Sequence, residues 1–312
     1  MENSSFRDGK QFAWDATSLD LASACPRKYF YRMIRGITPS RQSVHLLFGG
    51  VYASALENFY KHRAEGMTLE EAECAVVRLA MLLSWDHPRD ESGARLPGGQ
   101  PLSFDSAEKT RMNLIRSIVW YIEQFGDESE GGAVTHHLAN GKPAVELSFT
   151  LPFDEDILYC GHLDRVVDFN GSLYWMDQKT TGHTITPKFF EDFTPNNQFS
   201  GYSWAGRAIL HSPINAGIVD GAQIAVGFTR FARGIIVRTP EQLEEWHDSA
   251  LQIIHQTRAY SDSGKWPMNT TACGNYGGCP YRQLCSRSPT VREHYVEGNF
   301  TVPPRWDPLK AR

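Results

Sequence analysis

The sequence has no long apolar run. No stretch approaches the roughly 18 consecutive apolar residues expected of a membrane-spanning helix. The N-terminal stretch MENSSFRDGKQFAWD also lacks the apolar core of a secretory signal peptide. We therefore expect a soluble protein in the cytoplasm, without membrane contact. With 312 residues, of which 41% are hydrophobic, the chain is long enough to bury a substantial core and fits one large domain.

Basic residues are not in excess either. The chain has 31 Lys and Arg residues against 36 Asp and Glu, so its formal charge is −5. A surface that contacts nucleic-acid phosphates is usually basic, so any such surface has to be local in this chain. The acidic total is compatible with a metal-dependent enzyme, because carboxylates that hold metal ions subtract charge that the ions restore.

The segment Ile157–Thr181, ILYCGHLDRVVDFNGSLYWMDQKTT, predicts a β-hairpin. Asn170-Gly171 is the dipeptide that best supports a two-residue turn, because both central positions require positive φ and β-branched and aromatic residues flank it. Phe169 should then pair with Ser172. This pair sets the register of every other pair across the hairpin.

That register brings two carboxylates and an amine onto one face. Asp164 lies directly opposite Asp177, with Cβ atoms roughly 4.5–5.5 Å apart. Lys179 follows on the same face, while Gln178 points away. Two carboxylates this close persist if a divalent cation bridges them or one stays protonated, and an adjacent ammonium group can orient or deprotonate water. An exposed hairpin with an ordinary Asp-Lys ion pair is the alternative, but the apolar run YWM before Asp177 favours a buried strand.

Two further carboxylates are candidates for the same site. Val145–Leu151 alternates apolar and polar residues as a half-buried strand does. If this strand pairs beside the hairpin, Glu146 on its polar face is a third carboxylate near the site; otherwise Glu146 faces outward. Glu57 lies on a predicted helix, one turn from Ala53 on the same face. It either contributes to the site, directly or through water, or forms the polar edge of the helix.

Three motifs in this order resemble the PD-(D/E)XK nuclease superfamily in its RecB-like branch. They are GHLDR at 161–165, DQKT at 177–180 and QFSGY at 198–202, the last on a helix predicted over 194–210. The branch includes four-cysteine nucleases associated with CRISPR systems and with phages. The resemblance implies an α/β fold with a restriction-endonuclease-like core, in which helices flank a central mixed β-sheet.

The resemblance also implies a function. We expect a metal-dependent DNA nuclease, an exonuclease acting on DNA ends, that hydrolyses phosphodiester bonds with Mg²⁺ or Mn²⁺. Asp164 and Asp177 would bind metal, Lys179 would activate water, and Gln198 and Tyr202 would support them. Such enzymes act in recombination, repair, phage DNA processing and CRISPR adaptation, so DNA is the expected partner.

One motif position departs from the family. The RecB-like branch has a metal-binding histidine where this chain has Ala53, and alanine cannot coordinate an ion. Glu57 would then have to compensate, and the family also commonly has an acidic residue at the position of Glu146. The alternative is a catalytically impaired DNA-binding or assembly module with the nuclease fold. His45 lies off the motif position and is expected at the surface.

Three of the six cysteines, Cys273, Cys279 and Cys285, are separated by five residues each. In a cytosolic protein such a cluster indicates metal or iron–sulfur ligation more often than disulfides, and three thiolates leave a four-coordinate site one ligand short. The resemblance implies that Cys25 is the fourth ligand of a 4Fe–4S cluster. Zinc is the alternative, because four thiolates suit either.

The expected organisation is one nuclease domain over residues 1–312. It contains a helical insertion at 61–143 and a C-terminal cysteine region at 265–290 that closes onto Cys25. Periodicity predicts two helices in the insertion, near 68–85 and 105–125, a further helix near 240–260, and two strands near 217–228 and 232–238.

Overall fold

The computed structural model describes residues 5–40, 43–88, 90, 96–102, 104, 106–128, 132–214, 216–303 and 307–309. Within this part of the chain a mixed seven-stranded sheet forms the centre. Its strands are β1 (Ala13–Trp14), β2 (Val134–Thr135), β3 (Val145–Asp154), β4 (Ile157–Phe169), β5 (Ser172–Thr181), β6 (Ala216–Ile224) and β7 (Thr229–Val237).

The strands lie in the order β7-β6-β5-β4-β1, and β2 and β3 also pair with β4. β5 runs parallel to β6, and β1 runs parallel to β4, whereas the other neighbouring pairs are antiparallel. A parallel pair needs a crossover connection, and the helix Asn197–Leu210 lies within the one between β5 and β6. This connection brings that helix back against the two strands that carry the paired aspartates.

The longer helices pack on both faces of the sheet. Those of nine or more residues in the described part of the chain are α1 (Ala16–Ala24), α2 (Val44–Ala64), α3 (Leu69–Leu83), α4 (Arg111–Phe125), α5 (Asn197–Leu210) and α6 (Pro240–Ser263). The helix predicted from residue 105 begins later, at Arg111, because the side chain of Thr110 caps it by accepting from the backbone N–H of Asn113. None of the described helices combines the length and the apolar character needed to cross a membrane.

Short elements complete the described fold. Short helical segments cover Pro26–Tyr29, Phe30–Ile34, Pro187–Glu191, Thr270–Gly277, Arg282–Ser286, Pro289–Val291 and Arg292–Asn299. Two-stranded ribbons pair Phe6–Arg7 with Lys10–Gln11, Thr38–Pro39 with Phe300–Thr301, and Trp85–Asp86 with Gln100–Pro101.

The predicted hairpin is confirmed. Asn170 and Gly171 have φ angles of +50° and +75°, as a two-residue turn with two left-handed positions requires. Phe169 pairs with Ser172, and β4 and β5 stay in step for five consecutive pairs. Continuing this register outward by one residue on each strand places Asp164 opposite Asp177.

The predicted alternation of β3 is interrupted at Glu146, whose φ of +50° lies in the left-handed region. Val145 packs into the apolar cluster on the α2 side of the sheet, whereas Phe149 packs into the cluster on the α5 side. Strict alternation over Val145–Leu151 predicts that Val145 and Phe149 share one face, and this prediction is therefore wrong. A left-handed residue bends the strand locally and resets the alternation of its side chains.

The segment predicted to be a helical insertion, residues 61–143, is not wholly helical. It contains α3 and α4, but also a two-stranded ribbon and β2, which pairs with β4 in the central sheet. α3 and α4 share an apolar cluster with α2, Val145 and Ala222, so they cover one face of the sheet. Residues 89, 91–95, 103, 105 and 129–131 of this segment lie outside the described residues.

A segment near the N-terminus and a segment of the C-terminal part of the chain meet around Cys25. The backbone N–H of Arg27 donates to the carbonyl of Pro267 at 3.0 Å, and its Nε donates to the carbonyl of Trp266 at 2.7 Å. The Asn269 side-chain amide donates to the carbonyl of Ala24 at 2.9 Å, while its backbone N–H points at the Cys25 sulfur at 3.4 Å. These bonds fix the start of the C-terminal cysteine region beside the N-terminal helices.

Candidate active site

Two aspartates lie side by side in the central sheet. Asp177 in β5 is completely buried, and Asp164 in β4 is half-buried beside it. Burial raises the pKa of both carboxyl groups, and the charge of Asp177 raises the pKa of Asp164 further. Two such carboxyl groups at short range either share a proton or gather a cation.

Lys179 lies on the same face of β5 as Asp177. Its Nζ is 2.5 Å from Oδ2 of Asp177 and donates to Oε1 of Gln198 at 3.0 Å. The ammonium group also lies 5.3 Å from the centre of the Phe199 ring. The amine is therefore held from two sides, and part of it remains open to solvent.

A chain of hydrogen bonds links the Lys179 amine to the Asp164 carboxylate. Gln198 Nε2 donates to the Tyr202 hydroxyl at 2.9 Å, and that hydroxyl donates to Oδ1 of Asp164 at 3.3 Å. Burial raises the pKa of Tyr202 well above its ordinary value, and the charge of Asp164 adds to this, so the phenol stays protonated and can donate. The structure thus brings together Asp164, Asp177, Lys179, Gln198 and Tyr202.

Close packing of α5 places Gln198 and Tyr202. Phe199 stacks on Trp175 of β5 with ring centroids 4.7 Å apart, and the Trp175 indole N–H donates to Ser203 Oγ at 2.8 Å. At Gly201 an added Cβ would lie 2.0 Å from the Tyr159 hydroxyl oxygen. Only glycine lets the helix approach the sheet this closely.

A pocket opens beside Asp164 on the α2 side of the sheet, and its empty space, about 320 Å³, is partly continuous with solvent. Glu57 and Glu146 line it together with Asp164, and Ala53 contributes to the wall. The charge of Glu146 raises the pKa of Asp164, which shows that the two carboxylates are close. Glu57 forms an ion pair with Lys61 at 2.7 Å. The two candidate carboxylates therefore lie at the same pocket as Asp164.

Sequence reasoning gave no role to Arg165, which also lines this pocket. Arg165 is 3% exposed, lies 3.5 Å over the centre of the Tyr60 ring and donates to the carbonyl of Ala133 at 2.7 Å. It also forms an ion pair with Glu128. These contacts hold a cation in the pocket wall. The sequence did contain a signal for this role, because an arginine stands among the apolar residues of β4.

A buried polar network around Asp220 was also not predicted from the sequence. Asp220 in β6 is 2% exposed and accepts from the Tyr121 hydroxyl at 2.5 Å and from Arg233 Nε at 3.3 Å. It lies opposite Gln178 in the parallel register of β5 and β6, and Gln178 itself lines the pocket. The network ties α4 to the sheet behind the pocket. An aspartate inside the apolar strand AGIVDGAQI was the sequence signal.

The carboxylates of the candidate site are not arranged in the structure as a set of metal ligands. Within the part of the chain that the structure describes, no group of three or more His, Cys, Asp or Glu side chains is placed to hold a metal ion. Lys179 neutralises Asp177 and Lys61 neutralises Glu57 in this arrangement. The donors themselves suit a hard divalent cation, because all are carboxylate oxygens and the pocket admits solvent.

The four cysteines of the predicted cluster form no disulfide within the described part of the chain. Cys25 is buried, and Cys273, Cys279 and Cys285 are half-buried. Burial raises the pKa of the Cys285 thiol, and the nearby Cys279 and Cys25 raise it further. Burial raises the pKa of Cys279 as well, with contributions from Cys273 and Cys25. The four sulfurs are thus neighbours with the soft chemistry of iron–sulfur or zinc ligands, although their side chains do not converge on one ion.

A mixed sheet flanked by helices, with two aspartates and a lysine on adjacent central strands, is typical of the restriction-endonuclease-like fold. The family model for the PD-(D/E)XK nuclease superfamily matches residues 13–286, and the chain belongs to that superfamily. The predicted α/β fold class is confirmed. Membership indicates a metal-dependent nuclease that hydrolyses phosphodiester bonds in DNA with Mg²⁺ or Mn²⁺, in a superfamily that includes some inactive members. A search of curated proteins found no match to the chain.

Proposed function

We propose that the chain is a RecB-like deoxyribonuclease that acts as an exonuclease on DNA ends. The observation that carries the proposal is the continuous series of contacts from Asp177 through Lys179, Gln198 and Tyr202 to Asp164. The order of the three sequence motifs supports the RecB-like branch. Exonuclease action in recombination, repair, phage DNA processing or CRISPR adaptation follows from that resemblance.

In this proposal Lys179 is the catalytic amine. Held by Asp177 and Gln198, its ammonium group orients the attacking water and stabilises the negative charge that develops on the phosphate. Gln198 and Tyr202 act through hydrogen bonds: one fixes the amine and the other fixes the Asp164 carboxylate. Both charged groups therefore keep their direction when a DNA strand enters, which lowers the entropy cost of reaching the reactive geometry.

Asp164 and Asp177 would hold the divalent ion, with Glu146 and Glu57 as further ligands from the pocket. When bound, Mg²⁺ or Mn²⁺ supplies Lewis-acid polarisation of the phosphodiester. Ligation would bring the ion beside two existing ion pairs, that of Glu57 with Lys61 and that of Asp177 with Lys179.

A second candidate function is a DNA-binding or assembly module that does not cleave. Ala53 favours it, because a methyl group faces the pocket where the RecB-like branch has a histidine ligand. Such a protein would bind DNA but hold no ion at the aspartates.

Binding of Mn²⁺, followed by electron paramagnetic resonance or calorimetry, separates the two functions. The nuclease proposal predicts a site that is lost in Asp177→Asn and kept in Asp248→Asn, a control whose side chain is 85% exposed. Mn²⁺ binding that is absent from the wild type, or unchanged in Asp177→Asn, would contradict the nuclease proposal.

We also propose that Cys25, Cys273, Cys279 and Cys285 bind a 4Fe–4S cluster. Protein purified without oxygen should contain iron, sulfide and a visible absorption band, all lost in Cys285→Ser and kept in Cys74→Ser, which alters an exposed thiol on α3. Stoichiometric zinc without iron would support the zinc alternative, and metal-free protein would reject both.

A further inference from the structure

Lys109, just before α4, is a buried cation with no ionic partner in the part of the chain that the structure describes. Its side chain is 3% exposed, and its ammonium nitrogen lies 5.5 Å from the centre of the Phe48 ring. Burial lowers the pKa of Lys109, and no carboxylate among the described residues offsets this. A buried charge without a partner is costly, so such a site gains stability when an anion joins it.

Two histidines lie beside this lysine. His45, in the first turn of α2, is close enough to Lys109, His183 and Glu108 for each to affect its charge. His183 follows β5, where its backbone N–H donates to Thr181 Oγ1 at 3.0 Å. Glu108 is an acid close enough to both histidines for their charges to act on it. Donor groups from three separate elements therefore meet at one surface.

The N-terminus of α2 adds backbone donors to this surface. The helix spans 21 residues, and the Ser43 side chain at its N-cap makes no capping hydrogen bond. N–H groups in the first turn of a helix have no partner within the helix, and the positive end of the helix dipole attracts anions. The buried ammonium group of Lys109 is a second cationic feature beside the helix end.

This surface adjoins the candidate active site. An added Cβ at Gly49 of α2 would lie 3.5 Å from Thr180 Oγ1, so the helix passes directly over the residue that follows Lys179. His45 and Ala53, which lines the pocket, are eight residues apart on this helix. That separation is about 12 Å along the axis, or about three to four nucleotides at ~3.4 Å per nucleotide of a strand in a duplex.

We propose that Lys109, His45 and His183, with the N-terminus of α2, bind one backbone phosphate of the DNA strand about three to four nucleotides from the scissile bond. The proposal rests on the nuclease function proposed above and adds a contact for the uncleaved part of the strand. Because the contact is to phosphate, it positions the strand without reading base sequence.

The test is DNA binding without cleavage. Fluorescence anisotropy with end-labelled single- and double-stranded oligonucleotides, in EDTA and over a range of salt concentrations, gives the affinity and its salt dependence. Lys109→Met keeps the apolar stem but removes the charge; Lys109→Arg keeps the charge; Lys142→Met removes an exposed charge from another loop, the one between β2 and β3. Loss of one phosphate contact lowers the slope of log K against log salt by about 0.9 for duplex, which weakens binding about eightfold at 0.1 M salt.

The subsite predicts this loss in Lys109→Met and near wild-type behaviour in Lys109→Arg and Lys142→Met. Equal slopes and affinities in Lys109→Met and wild type would overturn it. If Lys109→Met does not fold, His183→Glu serves instead, because it places a carboxylate at an exposed position in the cluster; His294→Glu, at a side chain that is 93% exposed, is its control. Equal binding by these two variants would also overturn the subsite. Wild-type protein that binds no DNA would reject the nuclease proposal itself.

Discussion

The Lys179 ammonium nitrogen lies 2.5 Å from Oδ2 of Asp177, and the two side chains differ sharply in exposure, at 29% and 1%. The carboxylate is buried in the sheet and fixes the amine from behind, while the amine faces the open side. In the proposed reaction, the phosphate would approach from the side on which the amine is exposed. This relationship underlies the predictions about the site.

Tyr202→Phe removes the hydroxyl that joins Gln198 to Asp164 while keeping the ring. The cleavage rate should fall about tenfold to a hundredfold, because groups that orient metal ligands contribute on this scale. Single-turnover cleavage of labelled DNA measures the effect, with Tyr174→Phe on β5 as the control. Equal rates in the two variants would show that the hydroxyl has no part in the reaction.

Asp164→Asn should stabilise the metal-free fold, increasingly so as the pH rises. The pKa of Asp164 is raised by burial and by Asp177, so the folded wild type binds this proton more tightly than the unfolded chain. The free energy of unfolding of the wild type therefore falls as pH rises from the unfolded pKa of about 4 through the raised folded value. Asparagine does not ionise and avoids this fall.

Thermal unfolding in EDTA at several pH values between about 4.5 and 8 measures the difference. The gap in melting temperature between Asp164→Asn and wild type should widen toward high pH. A gap that stays constant with pH would indicate that Asp164 ionises as easily in the folded state as in the unfolded chain.

Gly201→Ala should destabilise the fold by about 1–3 kcal/mol, the usual cost of overpacking. The new Cβ would meet the Tyr159 hydroxyl, so α5 must shift away from the sheet. Gly206→Ala on the same helix is a matched control, because its Cβ would lie 3.7 Å from Ile214, an ordinary contact. That control should be neutral or gain about 0.5–1 kcal/mol from helix propensity. Urea denaturation measures both, and equal effects would contradict the close approach.

Glu57→Gln tests whether the pocket carboxylate compensates for Ala53. If Glu57 contributes a ligand, the affinity for Mn²⁺ should fall about tenfold or more. Glu65→Gln at the end of the same helix, with a side chain that is 68% exposed, is the control. A Glu57→Gln variant that binds Mn²⁺ as the control does would make Glu57 only the polar edge of the helix.

Much of the candidate site was predictable because it depends on local geometry. The Asn170-Gly171 turn fixes the register of the hairpin, and the register fixes which side chains are opposed. Strand periodicity then places Lys179 on the face of Asp177 without any knowledge of the rest of the chain.

The remaining features depend on contacts between distant segments. Glutamate is not a residue type that predicts a left-handed backbone. The left-handed conformation of Glu146 nevertheless determines on which side of the sheet Val145 lies. The contacts of Arg165 with Tyr60, and the meeting of His45 with Lys109, join elements separated by long stretches of chain. The periodicity of a sequence indicates which face of a helix or strand is apolar. It does not indicate which other helix or strand packs against that face.

Cleavage of end-labelled single- and double-stranded DNA with Mg²⁺ or Mn²⁺ tests the central claim most directly. Protein purified without oxygen is compared with Lys179→Met, which keeps the stem of the side chain, and with Lys142→Met as the control. The account predicts cleavage by the wild type and by the control, none by Lys179→Met, and a label pattern of stepwise release from an end. DNA binding without cleavage by the wild type, or cleavage that survives in Lys179→Met, would contradict it.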